Sequence, residues 1–402
     1  MIGLDWRVSI REGRRRTGGG FSIQGNLDPM LLTAPFPVIQ EYAREILDEG
    51  MEAPGYIFNL GHGLFPEADL DKVKALTEWV HHYSGERLKK GESSVDRGKI
   101  GVLVMSYGTP AGMEEVEAYY THIRRGKPPT EDQLTMLKKR YEAIGGVFPL
   151  REETDKQIEA LKRRLSQGDT PYSYEVYQGL RHTHPFIEEG IAQMREEGVS
   201  EAVGIVLAPH FSQMSVGEYI RRAEAEAERL GIRMAFVKRY GLHPRFIEMW
   251  GELVRRGLAF FSEGEKPLLL FSAHSLPERI LQTGDPYMDE LTATAKAVGE
   301  KEKIASWRFV WQSAGQTPEP WLGPDILEVI PALKNEGVEA VLVAPIGFVS
   351  EHLEILYDLD LAAKGKAKEA GIHLERTAMP GVDPRFIETL ADEVIKTAST
   401  LF

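Results

Sequence analysis

The 402-residue chain reads as α/β, with two similar Rossmann-like halves facing one cleft and a shorter segment with its own βα rhythm ahead of them. Three observations carry that reading. Apolar runs without alternation, among them Ile100 to Met105, Pro267 to Phe271 and Ala340 to Ala344, suit strands buried on both faces of a parallel sheet. The chain also repeats itself weakly: Gly198-Val199-Ser200-Glu201-Ala202-Val203-Gly204-Ile205-Val206-Leu207-Ala208-Pro209 echoes Gly337-Val338-Glu339-Ala340-Val341-Leu342-Val343-Ala344-Pro345, and Ile100 to Met105 before Tyr107 echoes Pro267 to Phe271 before His274. No Gly-x-Gly-x-x-Gly or Walker loop accompanies the repeat, so a nucleotide cofactor is not expected.

Taken in order, Ile2-Gly3-Leu4-Asp5-Trp6, Ile23 to Pro29 and Tyr56 to Gly63 look like three strand ends. Helix patterns lie over Val38 to Glu49 and Leu70 to Tyr83. The basic cluster Arg11-Glu12-Gly13-Arg14-Arg15-Arg16 lacks apolar neighbours at helical spacing and is expected to be solvated surface without a membrane role. Residues 85–98 are polar, glycine-flanked and nonperiodic, which predicts a linker and a boundary near residue 97. The two halves are expected over 99–256 and 257–402.

A net charge of -13 disfavours nucleic acid and anionic membranes as partners. With no cysteine in the chain, disulfides, thiolate zinc sites and cysteine-ligated iron–sulfur clusters are excluded. No apolar stretch approaches eighteen residues and no secretory signal pattern opens the chain, so a cytoplasmic protein without an integral membrane segment is expected.

Two segments concentrate the chemistry. Ser272-Ala273-His274-Ser275-Leu276-Pro277 and Ser350-Glu351-His352-Leu353-Glu354-Ile355-Leu356-Tyr357-Asp358 each follow a strand-like run, where open α/β sheets gather ligands. An imidazole and a carboxylate can therefore face one cleft. A neutral imidazole of near-neutral pKa takes protons, and an anionic oxygen hands on a divalent cation. With Ser350 as N-cap, Glu354 and Asp358 are four residues apart on one helical face.

These segments, together with Tyr107-Gly108-Thr109-Pro110, Tyr120-Thr121-His122-Ile123-Arg124-Arg125-Gly126, Arg140-Tyr141-Glu142-Ala143-Ile144-Gly145-Gly146, Leu207-Ala208-Pro209-His210-Phe211-Ser212 and Pro320-Trp321-Leu322-Gly323-Pro324-Asp325, resemble ferrochelatase, in that family's order, from about Lys99 onward. The pattern is most similar to the soluble type of Gram-positive and related bacteria, which inserts iron into coproporphyrin rather than protoporphyrin. The resemblance implies a metal chelatase of the lyase class, with Fe²⁺ as substrate, no required cofactor and no iron–sulfur cluster. Residues 1–84 resemble the last quarter of uroporphyrinogen decarboxylase, a (β/α)₈ barrel. Three strands cannot close such a barrel, so this partial barrel fragment is expected to lack decarboxylase activity alone, with only His62 carried over as a substrate contact.

The same resemblance assigns the site. His274 is the central residue, able to accept a pyrrole proton or to ligate iron, but not both through one lone pair. Glu354 and Asp358 join it as oxygen donors, although the next i+4 position is Ala362, which weakens an outer metal site. Tyr107 approaches the metal from the opposite ring face. Ile123 and Arg124, with Arg125 beside them, match the segment that holds macrocycle and propionates, and guanidinium forks suit a tetra-acid. Arg140, Tyr141 and Tyr219 match propionate or pocket positions, and Arg181, His182 and Trp321 match cleft-lining ones. His210 is expected to be structural, and Phe148 stands where a serine is usual before Pro149. The other readings are a protoporphyrin IX ferrochelatase, a cobalt or nickel chelatase, and a noncatalytic haem or porphyrin carrier. The protein is expected to be a monomer, with residues 1–97 a module for docking other haem-pathway enzymes.

Overall fold

The computed structural model describes residues 1–402 except 19, 20, 53, 54, 67, 93–98, 168, 169, 171, 316 and 402, and except the side chains of 86–92. The chain divides into two compact units, 1–96 and 97–402.

In the first unit, strands β1 (Ile2–Gly3), β2 (Ile23–Leu27) and β3 (Tyr56–Leu60) form a parallel sheet in the order β1-β2-β3. Helix Phe36–Gly50 brings Ile39, Ala43 and Leu47 to a small core with Leu27, Leu32, Leu76 and Val80. Two expectations change. The basic cluster lies on a helix, Ile10–Arg16, because Ser9 caps it and Ile10 and Gly13 face inward; Arg11, Arg15 and Arg16 still point to solvent, paired with Glu52 and Glu12, while Arg14 is part-buried and donates to the Gly50 carbonyl. Helix Leu70–Glu92 runs past Tyr83 into the expected linker, whose remaining residues 93–98 lie outside the described ones.

The second unit contains two four-stranded parallel sheets. The first joins β4 (Lys99–Ser106), β5 (Ser173–Leu180), β6 (Glu201–Val206) and β7 (Arg233–Val237) in the order β5-β4-β6-β7. The second joins β8 (Leu268–His274), β9 (Trp307–Gln312), β10 (Ala340–Ala344) and β11 (His373–Arg376) in the order β11-β10-β8-β9. Both follow one topology: β4 and β8 occupy equivalent places, as do β6 and β10, in agreement with the sequence repeat. Each sheet reverses strand order between those two central strands, the position at which an open α/β sheet binds ligands beyond its strand ends. Burial along all of β10 and nearly all of β4 and β6 explains their unbroken apolar runs.

Two helices cross between the halves. Pro244–Leu258 follows the first sheet yet packs on helix Tyr287–Lys301 and β10, while Pro384–Ala398 returns to pack on β6, β7 and helix Pro149–Ser166. Trp250, Phe246, Phe271 and Phe386 consequently lie in one hydrophobic core with Ile100 and Val203. The expected cut at 256/257 falls inside a helix, because these exchanged helices bury their apolar faces against the opposite half.

Candidate active site

His274 ends β8, and β10 beside it leads through a loop into Glu354–Ala363, so parallel pairing sets both segments at the same end of the sheet. A Cβ at Gly347 would meet the Cβ of Ala273 at 2.5 Å, so glycine there lets the loop lie flush against the strand that bears His274. The segment Glu354–Ala363 is a π-helix, not the α-helix expected, and Leu353 rather than Ser350 precedes its first turn. Ser350 is instead buried, its hydroxyl accepting from Gln157 Nε2 at 2.9 Å. Arg376 braces the π-helix from β11, donating to both oxygens of Asp360 at 2.8 Å and to Glu351 at 3.0 and 3.1 Å. Gln312 adds a bond to the Glu354 carbonyl at 3.3 Å.

The Nδ1–H of His274 donates to the Ser275 carbonyl, which turns Nε2 toward Glu354 Oε1 at 3.4 Å. His352 Nε2 stands 3.5 Å from the other Glu354 oxygen. Burial pulls the His274 pKa down, but the charge and hydrogen bond of Glu354 outweigh it and lift the imidazole to about 9. Burial likewise works against ionised Glu354, yet His274 and His352 hold the carboxyl well below its ordinary range. The carboxylate that shares the cleft of His274 therefore favours the protonated imidazole, where the sequence reading had a neutral one.

Asp358 and Arg140, expected to serve metal and porphyrin respectively, are each other's partner. Arg140 Nη2 donates to Asp358 Oδ1, and Ser313 Oγ donates to Oδ2 at 2.5 Å. Burial nevertheless leaves the Asp358 pKa above its ordinary value, with Arg140 opposing the rise. Among the described residues no group of three or more His, Cys, Asp or Glu side chains is disposed to hold a metal, so His274, Glu354 and Asp358 do not form a closed cage.

The opposite rim is built on the end of β4. Tyr107 is 40% exposed, yet surrounding protein raises its phenol pKa well above the usual value, the mark of a side chain lining a cleft; the charge of Glu354 contributes to the rise. Gly108 turns the chain there with φ +83°, and a Cβ would meet Thr183 Oγ1 at 2.4 Å. The ring of His182 packs on Tyr107 at 4.5 Å, and its Nδ1 lies 3.0 Å from Nδ1 of His122. Burial first, then Arg181, His122 and Arg222, lowers the His182 pKa to about 3, making this the neutral imidazole of the site. Arg181 lies over the Tyr219 ring at 5.3 Å, with its carbonyl held by Arg222 Nη1 at 2.8 Å. A cavity of about 480 Å³ is lined by Ile123, Arg125, Arg181, His182, Arg221 and Arg222, among others.

Not every expected residue reaches open space. Tyr141 is 3% exposed, stacked on Phe148 at 4.4 Å with its hydroxyl 3.3 Å from Thr109 Oγ1, so it supports the pocket from behind. Tyr219 is 4% exposed and presents its face to Arg181. Arg124 is tied back by Nε to the Lys127 carbonyl at 3.2 Å, and Arg125, at φ +57°, lines the cavity in its place. Trp321 is half-buried, 6.4 Å from the His274 ring, and donates to Thr317 Oγ1 at 2.9 Å. His210 is buried, with Nε2 2.9 Å from Thr294 Oγ1. In residues 1–96, His62 meets Trp6 edge-on at 5.9 Å and stacks with Phe65 at 6.5 Å. The sequence reading missed His352, Ser313 and Arg376. His352 sat two residues from Glu354 as a signal; the others approach only through tertiary pairing.

One rim offers anionic oxygens and two histidines, the other a phenol, a neutral imidazole and the guanidinium groups of Arg125 and Arg181 at a cavity. Together they suit the joining of a cation to a carboxylate-bearing ring, and the class of protein they define is a metal chelatase. Residues 99–398 match the family model for ferrochelatase, about three quarters of the chain, and residues 1–83 match that for uroporphyrinogen decarboxylase (URO-D). Similar proteins include the coproporphyrin III ferrochelatases of Oceanobacillus iheyensis, 44% identical over 309 residues (76% of this chain, 99% of that one), and Anoxybacillus flavithermus, 46% identical over 300 residues (74% and 95%). The coproporphyrin III ferrochelatase of Bacillus subtilis is 44% identical over 306 residues, 75% of this chain and 99% of that one. SirB from Bacillus subtilis with Fe3+, a solved structure, has a TM-score of 0.49 at 14% identity, covering 75% of this chain and 97% of its own. The chain belongs to the ferrochelatase family.

Proposed function

We propose that the protein inserts Fe²⁺ into coproporphyrin III to give the iron coproporphyrin. The observation that carries this reading is the contact of His274 Nε2 with Glu354 at the strand ends, opposite Tyr107. In this reading Arg125 and Arg181 take propionates, since a tetra-acid needs several cationic forks and these two have space before them. Ile123, Trp321 and the Tyr107 ring hold the apolar macrocycle. Fe²⁺, as substrate, exchanges water for the Glu354 oxygens; its charge replaces that of the imidazolium, so the His274 proton passes to water and Nε2 becomes free to accept the two pyrrole protons in turn, releasing each to solvent. The bond from Nδ1–H to Ser275 keeps that lone pair aimed at the cleft.

The names of the relatives support coproporphyrin over protoporphyrin as the substrate. We further infer that the enzyme works as a cytoplasmic monomer without a cofactor, and that residues 1–96 dock another enzyme handling the same tetrapyrroles. Among the described residues no helix is long and apolar enough to cross a membrane.

Anaerobic mixing of the full chain with Fe²⁺ and either coproporphyrin III or protoporphyrin IX, read by the Soret shift, tests the assignment. Faster insertion into coproporphyrin, lost in His274→Ala, is expected. Preference for protoporphyrin would overturn the substrate, and no insertion into either would overturn the activity.

A further inference from the structure

Arg140 and Asp358 lie 218 residues apart in sequence and meet as an ion pair whose side chains are 29% and 15% exposed. Asp358 is fully engaged, because its second oxygen accepts from Ser313 Oγ. Arg140 is not. Its Nε–H is buried without an acceptor, although its guanidinium lies over the Tyr357 ring at 4.7 Å. The same side chain borders a cavity of about 550 Å³, shared with Lys139, Thr135 and Tyr357.

A buried N–H without a partner is costly, and a guanidinium binds a carboxylate best when Nε and one Nη act as a fork. Asp358 takes only one prong, while Ser313 fixes its other oxygen elsewhere. A carboxylate arriving through the cavity meets the guanidinium, and the turn that releases Asp358 uncovers Nε as a second prong, so it competes with Asp358 on favourable terms. Lys139 adds positive charge at the same opening.

Displacing Asp358 changes the site beyond it. Asp358 and Glu354 are four residues apart on the π-helix, and each weighs on the electrostatics of the cleft through His274. With Arg140 withdrawn, two carboxylates share one region with less positive charge to offset them, an arrangement that a divalent cation relieves.

We propose that Arg140 is a positioning residue that makes metal acceptance by Asp358 conditional on porphyrin: a propionate takes the guanidinium, and the released Asp358 joins Glu354 in receiving the cation. This rests on the chelatase reading above and deepens it by giving the substrates an order. Before the macrocycle arrives, the ion pair keeps the oxygen donors incomplete and the cation is not trapped idle. By linkage, bound porphyrin and bound cation strengthen one another.

The test uses the full chain and two variants. Coproporphyrin III is titrated in the presence of a metal chelator and followed by quenching of the chain's six tryptophans. Asp358→Asn removes the competitor and should tighten porphyrin binding roughly fivefold or more, the lower end of common coupling strengths; unchanged or weaker binding overturns the proposal. Calorimetric titration with Co²⁺, without porphyrin, gives a second reading. Arg140→Gln should bind Co²⁺ more tightly than the natural chain, and equal or weaker binding counts against the coupling. A residue that only held the fold together would loosen both ligands. Should the natural chain bind porphyrin and insert iron while neither variant shifts as expected, the coupling alone falls. Should it do neither, the chelatase reading falls with it.

Discussion

Nε2 of His274 stands 3.4 Å from Oε1 of Glu354 while the opposite ring nitrogen donates to the Ser275 carbonyl. The ring can neither flip nor turn away without losing one of these partners, so its reactive nitrogen is held in place before any substrate is present. That pairing also fixes the charge of the resting site.

The pH dependence follows from the two shifts. His274 is raised from 6.5 to about 9, so its share of the pair's stabilisation is complete below 6.5 and is lost as pH rises through about 9. Glu354 is lowered, so its share is present above the ordinary carboxyl pKa and is lost as pH falls through its depressed value. In Glu354→Gln the two largest raising causes are gone and burial opposes only the Ser275 hydrogen bond and the Asp358 charge, so His274 should titrate well below 9. Following the ring Cε1–H by NMR against pH checks this; titration still near 9 would mean that Glu354 is not the cause.

His274→Ala should reduce iron insertion by about 10²-fold or more, the usual scale for loss of a positioned general base. Porphyrin binding should survive, because Ile123, Arg125 and Arg181, which carry most of the grip assigned to the macrocycle, lie on the other rim. Insertion rate and fluorescence quenching, measured side by side, separate the two. A parallel loss of binding would move His274 from proton transfer to ring recognition.

Arg376 is only 12% exposed and carries two carboxylates, Glu351 and Asp360. Arg376→Gln leaves both without their cation and should cost about 3 kcal/mol, the lower end for breaking a buried ion pair. Urea unfolding monitored by circular dichroism gives the figure. A change within about 0.5 kcal/mol would mean that water replaces the arginine freely.

Phe386 is fully buried, with its ring 6.3 Å from those of Phe246 and Tyr240. Phe386→Ala should cost about 3–5 kcal/mol. Because its helix crosses onto the opposite sheet, amide exchange should quicken in β4 and β6 as well as in β8 and β10. Faster exchange confined to the second sheet would show the halves to be energetically separate.

Much of the fold was legible because central parallel strands leave an unmistakable trace. The runs at Ile100, Glu201, Leu268 and Ala340 lack alternation since both sheet faces are covered, and their pairwise likeness matches two sheets of one topology. Edge strands and crossing helices were less legible. Nothing local in Pro244–Leu258 tells which half it will cover, since an apolar stripe is satisfied by either. The π-helix was read as an ordinary helix because its side-chain pattern at i and i+4 serves both windings.

The sequence by itself determined the repeated α/β architecture, the family, and the candidate rims with His274 and Glu354 on one and Tyr107 on the other. These depend on strand-sized apolar runs and on motifs a few residues long, which are local properties. Tertiary structure decided the rest: that Asp358 is held by Arg140, that Arg125 rather than Arg124 lines the cavity, that Tyr141 is buried behind it, and that Glu354 favours the protonated form of His274 while burial favours the neutral form of His182. Each of those outcomes is set by groups far apart in the chain, because ion pairing and desolvation act through distance in space and not through position in sequence.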